Sequence, residues 1–447
     1  MRAAHRLLLI AVSVTTAVAL LGAGAGAAAN VQVISTDPLA NRQSQHQTEV
    51  EPDTFANGTT VVSGFQVGRI YNGGSGAIGW ATSTDSGATW AHGILPGLTQ
   101  AAPVPGPYSR ATDPSVAYDA KDGRWLITTL AMNGTPGVAV TVNSSTDGIT
   151  WGNATVAATR GANLDKDWIT CDNTPTSPFY GHCYIEYDDN GNGDLVYNTT
   201  SSDGGQTWSP PKTTADNTHG LGGQPLVKPD GTVIVPIANG SVSGILSYHS
   251  SDGGTTWSAS SAVSGWQRHR VHGNMRDGLP SAEMDGAGTV YLTWNDCRFR
   301  ARCSSNDLVI STSSDGVNWS TPARVPIDAV TSTVDHFIPG IGVDRTTSGA
   351  TAHLTLTYYF FPQAACSGTA CQLQVGQISS TSGLSGWGAE TTLTSSPMQT
   401  RWLANTSQGR MVGDYISTSY VSGSPVAAFP IATAPDSLFH ESMAASS

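Results

Sequence analysis

One eight-residue stretch, Ser83-Thr84-Asp85-Ser86-Gly87-Ala88-Thr89-Trp90, returns along this chain and limits what it can fold into. It recurs as Ser201-Ser202-Asp203-Gly204-Gly205-Gln206-Thr207-Trp208 and as Ser250-Ser251-Asp252-Gly253-Gly254-Thr255-Thr256-Trp257. Shorter copies stand at Thr146–Trp151 and Ser314–Trp319, and a decayed one at Ser382–Trp387. Asp accepts bonds from backbone N–H groups a few residues on and closes a turn. Gly supplies positive φ at low steric cost. The Thr-Trp end suits a strand, with the indole as an apolar plug. A turn that recurs at a fixed spacing marks stacked structural units, each burying its faces against the next.

A second marker runs ahead of the turns. Glu51-Pro52, Asp113-Pro114, Gln224-Pro225, Leu279-Pro280 and Ile338-Pro339 each open an apolar-rich run, where Pro is tolerated at the start of a strand. Pro52 to Asp85 and Pro114 to Asp147 both span 33 residues, so the two markers share one register. Alternation and β-branched content divide a repeat into four strands. For the second repeat these are Ser115–Asp119, Trp125–Ala131, Val138–Asn143 and Thr150–Ala157.

The repeated turn resembles the Asp-box, or BNR repeat, of the sialidase superfamily. The resemblance covers nearly the whole chain as a fold and implies an all-β protein, a β-propeller of four-stranded antiparallel blades. It also places the turn Asp residues between the third and fourth strands of a blade, as structural groups rather than catalytic ones. Seven blades are expected, with six as the alternative. In the seven-blade reading Met411–Tyr420 and Pro425–Ile431 begin a last blade, and Val31–Ser35 supplies its outer strand, so that the N- and C-terminal strands close the ring. Ala444–Ser447 is expected to fray.

Composition sets the compartment. Arg2 and Arg6 precede an apolar run, Leu7 to Leu21, and small residues ending at Ala29, which reads as a secretory signal over 1–29. Residues 30–447 are expected to form a single domain, secreted and monomeric, without stable membrane insertion. The 6 Cys fall as near neighbours, and the simplest disulfide pairing joins each to its neighbour: Cys171 with Cys183, Cys297 with Cys303, Cys366 with Cys371. A net charge of -12 argues against a nucleic-acid partner.

Only 12% of residues are charged, yet charges gather where the innermost strands begin. In a propeller those starts converge on one face. Arg69, Arg110, Arg276, Arg298 and Arg410 are candidates for holding a carboxylate in the planar guanidinium fork, with Lys166, Asp167 and Gln224 beside them. By position, the sialidase resemblance implies Asp113 as acid/base, Tyr415 as nucleophile and Glu51 or Glu186 as its partner. The Arg-Ile-Pro motif of that family is absent, since Arg69-Ile70 is followed by Tyr71. His336 offers proton transfer instead, as in a lyase acting on uronate-containing glycans. The readings are therefore a glycosidase acting on a terminal acidic sugar, a polysaccharide lyase, or a non-catalytic glycan-binding propeller. In all three the partner is carbohydrate. No cofactor is required. Asp188, Asn190, Asn192 and Asp194 alternate oxygen ligands as in part of a calcium loop, with a plain Asn-Gly hairpin as the other reading.

Overall fold

The computed structural model describes residues 30–447; the expected signal segment lies outside them. Antiparallel strands make up nearly all of the regular structure, joined by turns and single-turn 3-10 segments. The second repeat runs Arg110–Asp119, Arg124–Met132, Gly137–Ser145 and Thr155–Ala158, each pairing with the next. Its inner strands extend further than alternation alone predicts, because their buried ends carry polar groups that do not alternate. Single bridges, Ser75 to Ala111 and Gly137 to Leu164, join the first three repeats into one 11-stranded sheet. Further along, sheets of four or five strands stand separately.

The repeated turns sit where their chemistry predicts. Asp85 Oδ1 accepts from the Thr89 backbone N–H at 2.8 Å and Oδ2 from the Thr89 hydroxyl at 2.6 Å. The Trp90 indole N–H closes back on the Gly87 carbonyl at 3.1 Å. The Asp–Thr bonds recur at Asp147, Asp203 and Asp252, and the indole closure at Trp151 and Trp208. Trp90, Trp151, Trp208, Trp257, Trp319 and Trp387 each pack against a different apolar cluster. The turns thus fasten successive layers of core, which is why the motif recurs once per unit.

All three disulfides join neighbouring cysteines, Cys171–Cys183, Cys297–Cys303 and Cys366–Cys371. The first ties residues that already face each other across adjacent strands.

The chain ends share a sheet in the order Val31–Val33, Glu441–Ser446, Ser424–Ala432, Ser417–Val421. The expectation of a frayed C-terminus is corrected here: Glu441–Ser446 is a central strand of that sheet. Its small alternating side chains reach both faces, with Ala444 in one apolar cluster and Met443 and Ala445 in another. The first strands of the sheets touch in succession: Glu49–Asn57, Arg110–Asp119, Leu164–Cys171, Leu226–Val227, Ser281–Met284, Asp335–Val343 and Ser417–Val421. The last of these lies against the first.

Candidate active site

Each of four first strands breaks its register at the same place. The shifts fall between Val50 and Asp53, Thr112 and Ser115, Asp165 and Trp168, and Phe337 and Gly340. Inside each break one non-glycine residue takes a left-handed backbone: Glu51 at φ 60°, Asp113 at 50°, Lys166 at 47° and Ile338 at 50°. Three of these precede Pro, which cannot donate to the ladder and so favours the break. A bulge re-aims the side chain it carries, and strain of this kind gathers at working sites.

Three of the four re-aimed side chains meet. Lys166 Nζ lies 2.6 Å from Asp113 Oδ1, 2.7 Å from Asp414 Oδ2 and 3.2 Å from Glu51 Oε1. Arg276 also pairs with Asp414, and Gln66 donates to Glu51 Oε2. These groups border a cavity of about 210 Å³ lined by Glu51, Arg69, Asp113, Asp165, Lys166 and Arg276, together with Asn72 and Gln408. Arg69 is buried and donates to the Gly74 carbonyl at 2.5 Å and to Gln66 Oε1 at 3.2 Å. No carboxylate among the described residues forms an ion pair with it.

Proton affinities differ sharply within this small volume. Burial pushes Glu51 up to about 7, against the pull of Lys166, with Asp113 and Asp414 adding to the rise. Burial raises Asp113 as well, again opposed by Lys166. Asp414 is held at about 2: burial works against its ionised form, but Arg276 and Lys166 outweigh it. Burial works against Lys166 too, yet Asp113, Asp414, Glu51 and Asp165 keep its proton bound well above the ordinary lysine range. Burial lowers Arg69 to about 10, with repulsion from Arg276 contributing. The arrangement is a carboxyl that keeps its proton near neutrality beside carboxylates held by cations.

Other candidate residues stand elsewhere. Arg110 donates to Asn72 Oδ1 at 2.8 Å and the Gly73 carbonyl at 2.9 Å, bracing two residues of the cavity lining. Arg298 is taken by Asp296, its Nε 2.9 Å from Oδ1 and Nη2 2.7 Å from Oδ2. Arg410 donates to the Leu403 carbonyl. Gln224 accepts from the Ala282 N–H and, with Lys166, Asp167, Trp168 and Tyr415, lines a second small void. The Tyr415 hydroxyl donates to the Pro114 carbonyl at 3.2 Å, and the ring packs edge-on against Trp168. Burial holds Tyr415 well above the ordinary phenol range, so its oxygen is a poor nucleophile there.

His336 is buried with Nδ1 against the Asn306 carbonyl, and burial lowers it to about 4. Its charged neighbours are Asp328, Arg300 and Arg324 rather than the cavity residues. Glu186 is fully buried under Gly223, also outside the cavity lining. Asp188 is a buried strand residue, while Asn190 and Asn192 form a 3-10 turn that Asp189 caps and Asn190 closes onto Asp194 at 3.0 Å. Asp414 and Gln66 join this cluster and are not among the residues singled out from the sequence. The signal for Asp414 is its place between Gly413 and Tyr415, since Gly413 takes a φ of 151° and lies against Glu51.

Burial dominates the acid groups of the inner strands more widely. Glu49, Asp53 and Asp335 are each pushed up to about 7. A carboxyl with a raised folded-state pKa contributes stability below its unfolded value and loses it as pH rises through the folded value. Asp85 and Asp147 in the turns and Asp414 run the other way, at about 2, so their contribution fades as pH falls toward 2. The urea midpoint is therefore expected to peak near pH 4 to 5 and to fall steadily to pH 8. A maximum at pH 7 or above in a pH series of urea melts contradicts this burial account.

Residues 134–338 match the family model described as a BNR repeat-like domain. No curated protein matches the chain. Similar solved structures include the Hadza microbial sialidase Hz136, 15% identical over 89% of this chain and 65% of that one, with a TM-score of 0.45. The Trypanosoma rangeli sialidase in complex with the inhibitor DANA is 13% identical over 90% of this chain and 55% of its own, with a TM-score of 0.47. A Dyadobacter fermentans protein of unknown function is 15% identical over 74% of this chain and 94% of its own, at 0.46. The matched segment and the turn that recurs through it agree: over residues 134–338 this chain resembles the BNR repeat-like family.

Proposed function

We propose that the chain is a secreted glycan-processing enzyme, a glycosidase that removes an acidic sugar at the Lys166 cavity. In this reading the successive sheets are seven blades of a propeller, closed by the shared sheet of the two chain ends, and the cavity lies on its axis. The observation that carries it is Arg69. Its guanidinium is buried and no carboxylate contacts it directly, although Glu51, Asp414 and Asp113 act on it through space; an anionic ligand in the cavity would supply the missing contact. Arg276 adds positive charge on the same wall.

Glu51 fits the general acid, since it holds a proton near neutral pH. Asp113 fits the second carboxylate, positioned by Lys166 to act on the sugar carbon or on a water. Disulfides agree with an oxidising, extracellular setting. The lyase reading loses support, because its proton acceptor, His336, does not line the cavity.

The test is a panel of glycans ending in neutral or acidic sugars, with products read by mass. Hydrolysis of an acidic member is expected. Arg69→Ala should lower kcat/KM on that member by roughly 30- to 5,000-fold, the range for truncating one partner of a buried charge pair, and spare any neutral substrate. Binding without turnover would favour the non-catalytic reading. Equal rates for Arg69→Ala and the parent protein would remove the acidic-sugar assignment.

A further inference from the structure

The chain is acidic, at a net charge of -12, yet six of its 21 Lys and Arg residues lie in two short segments, 267–276 and 297–303. The first reads Gln-Arg-His-Arg-Val-His-Gly-Asn-Met-Arg, and the second carries Arg298, Arg300 and Arg302 between two cysteines. The fold ties these segments together. The Cys297 N–H donates to the Gln267 carbonyl at 2.9 Å. Asn306 bridges to both the N–H and the carbonyl of His269, at 2.8 Å each. The His269 ring meets the Cys303 carbonyl at 3.0 Å, and the Cys297–Cys303 disulfide closes the second loop.

Part of this charge is already used. Arg300 is buried and paired with Asp307 and Asp328, Arg298 with Asp296, and Arg268 with Asp277 at 3.6 Å while stacking on Trp266. Arg270 and Arg302 are exposed and form no ion pair among the described residues. They stand on either side of the His269–Cys303 contact in the chain. Phe299, also exposed, offers an apolar face on the same loop. Six residues beyond Arg270, Arg276 lines the axial cavity. The first segment therefore runs from an open cationic surface into that cavity.

We propose that Arg270 and Arg302 form a binding ridge for an anionic polysaccharide, a chain bearing carboxylate or sulfate groups that extends beyond the cavity. Guanidinium forks suit both groups, and Phe299 can cover an apolar sugar face. The ridge rests on the glycan-processing reading for the kind of ligand and not for turnover. The negative charge of the remaining surface favours a flexible glycan over a nucleic-acid duplex, whose dense phosphates need a broad basic face.

The experiment measures equilibrium binding to the full secreted chain of three probes: a uronate oligosaccharide, a heparin-derived oligosaccharide and a single-stranded oligonucleotide. A glycan Kd that weakens with salt is expected, and the stronger of the two glycans names carboxylate or sulfate as the preferred group. The double variant R270A/R302A should bind that glycan at least about tenfold more weakly, with a shallower salt dependence. Its melting temperature and its turnover of a single-sugar substrate should stay unchanged, whereas Lys121→Ala, at a distant turn, should bind as the parent does. Three results overturn the ridge: no binding to either glycan at low salt, unaltered binding by R270A/R302A, or tighter binding to the oligonucleotide. Ridge binding without hydrolysis of any substrate would leave the ridge standing and remove the glycosidase reading instead.

Discussion

Replacing Lys166 with Met is expected to cost about 3–5 kcal/mol of folding stability at pH 7, the range for breaking a buried ion pair from one side. Met keeps the length and the apolar stem and removes only the ammonium. That ammonium is the common partner of Glu51 and Asp113, on two strands of the 11-stranded sheet, and of Asp414, in the loop before Ser417–Val421. Arg276 would still hold Asp414. Asp113 has no other cation in the ion-pair network of the described residues, so its carboxylate would stay buried and uncompensated. The deficit should shrink as pH falls toward 4, because Asp113 and Glu51, already raised by burial, then take up protons and no longer need the charge. Lys166→Arg tests whether charge alone suffices; its larger planar head should recover only part of the loss. Urea melts of the three proteins at pH 4 and pH 7 read this directly. A loss below about 1 kcal/mol at pH 7, the worth of an exposed pair, would mean that the ammonium does not organise the site.

Much of the fold was legible because its signals are local. The Asp85 turn and its copies depend on bonds spanning four residues, and the Pro markers depend on a missing donor; neither needs tertiary knowledge. The shared sheet of the two ends was also legible from leftover strand-like segments. Glu441–Ser446 was not, since Ala and Ser have weak strand preferences and this strand exists only through partners on both sides.

The cavity was legible in part for a different reason. Charged residues are scarce, so those near strand starts stood out, and Glu51, Asp113, Lys166, Arg69 and Arg276 share one cavity lining. Arg298, Arg410, Tyr415 and His336 stand at similar places in the sequence and do not. Position along a strand says which end of a sheet a residue occupies, not where its side chain points. A bulge turns Glu51, Asp113 and Lys166 toward one point, while Asp296 captures Arg298 from two residues away. The fourth bulge carries Ile338, whose side chain joins the apolar core, so His336 two residues earlier gains no route to the cavity.

Glu51→Gln should cost two to four orders of magnitude in kcat, roughly the 10²–10⁴ contribution of a general acid, with KM little changed. The substitution removes the transferable proton and keeps the size. It also mimics the protonated acid, which Glu51 holds near neutrality, so the net charge around Lys166 barely changes and folding is spared. The pH profile separates a proton donor from a structural group. With Glu51 as acid, the parent protein is active below about 7 and loses activity as pH rises through that value, since only the protonated form can donate. The residual activity of Glu51→Gln should lack that alkaline limb. A substrate with a leaving group acidic enough to depart without a proton should recover most of the lost rate, because protonation is then no longer needed. Loss of activity with the alkaline limb intact, or with no recovery on the activated substrate, would place the donor elsewhere, and Asp113 would then be the carboxyl to substitute.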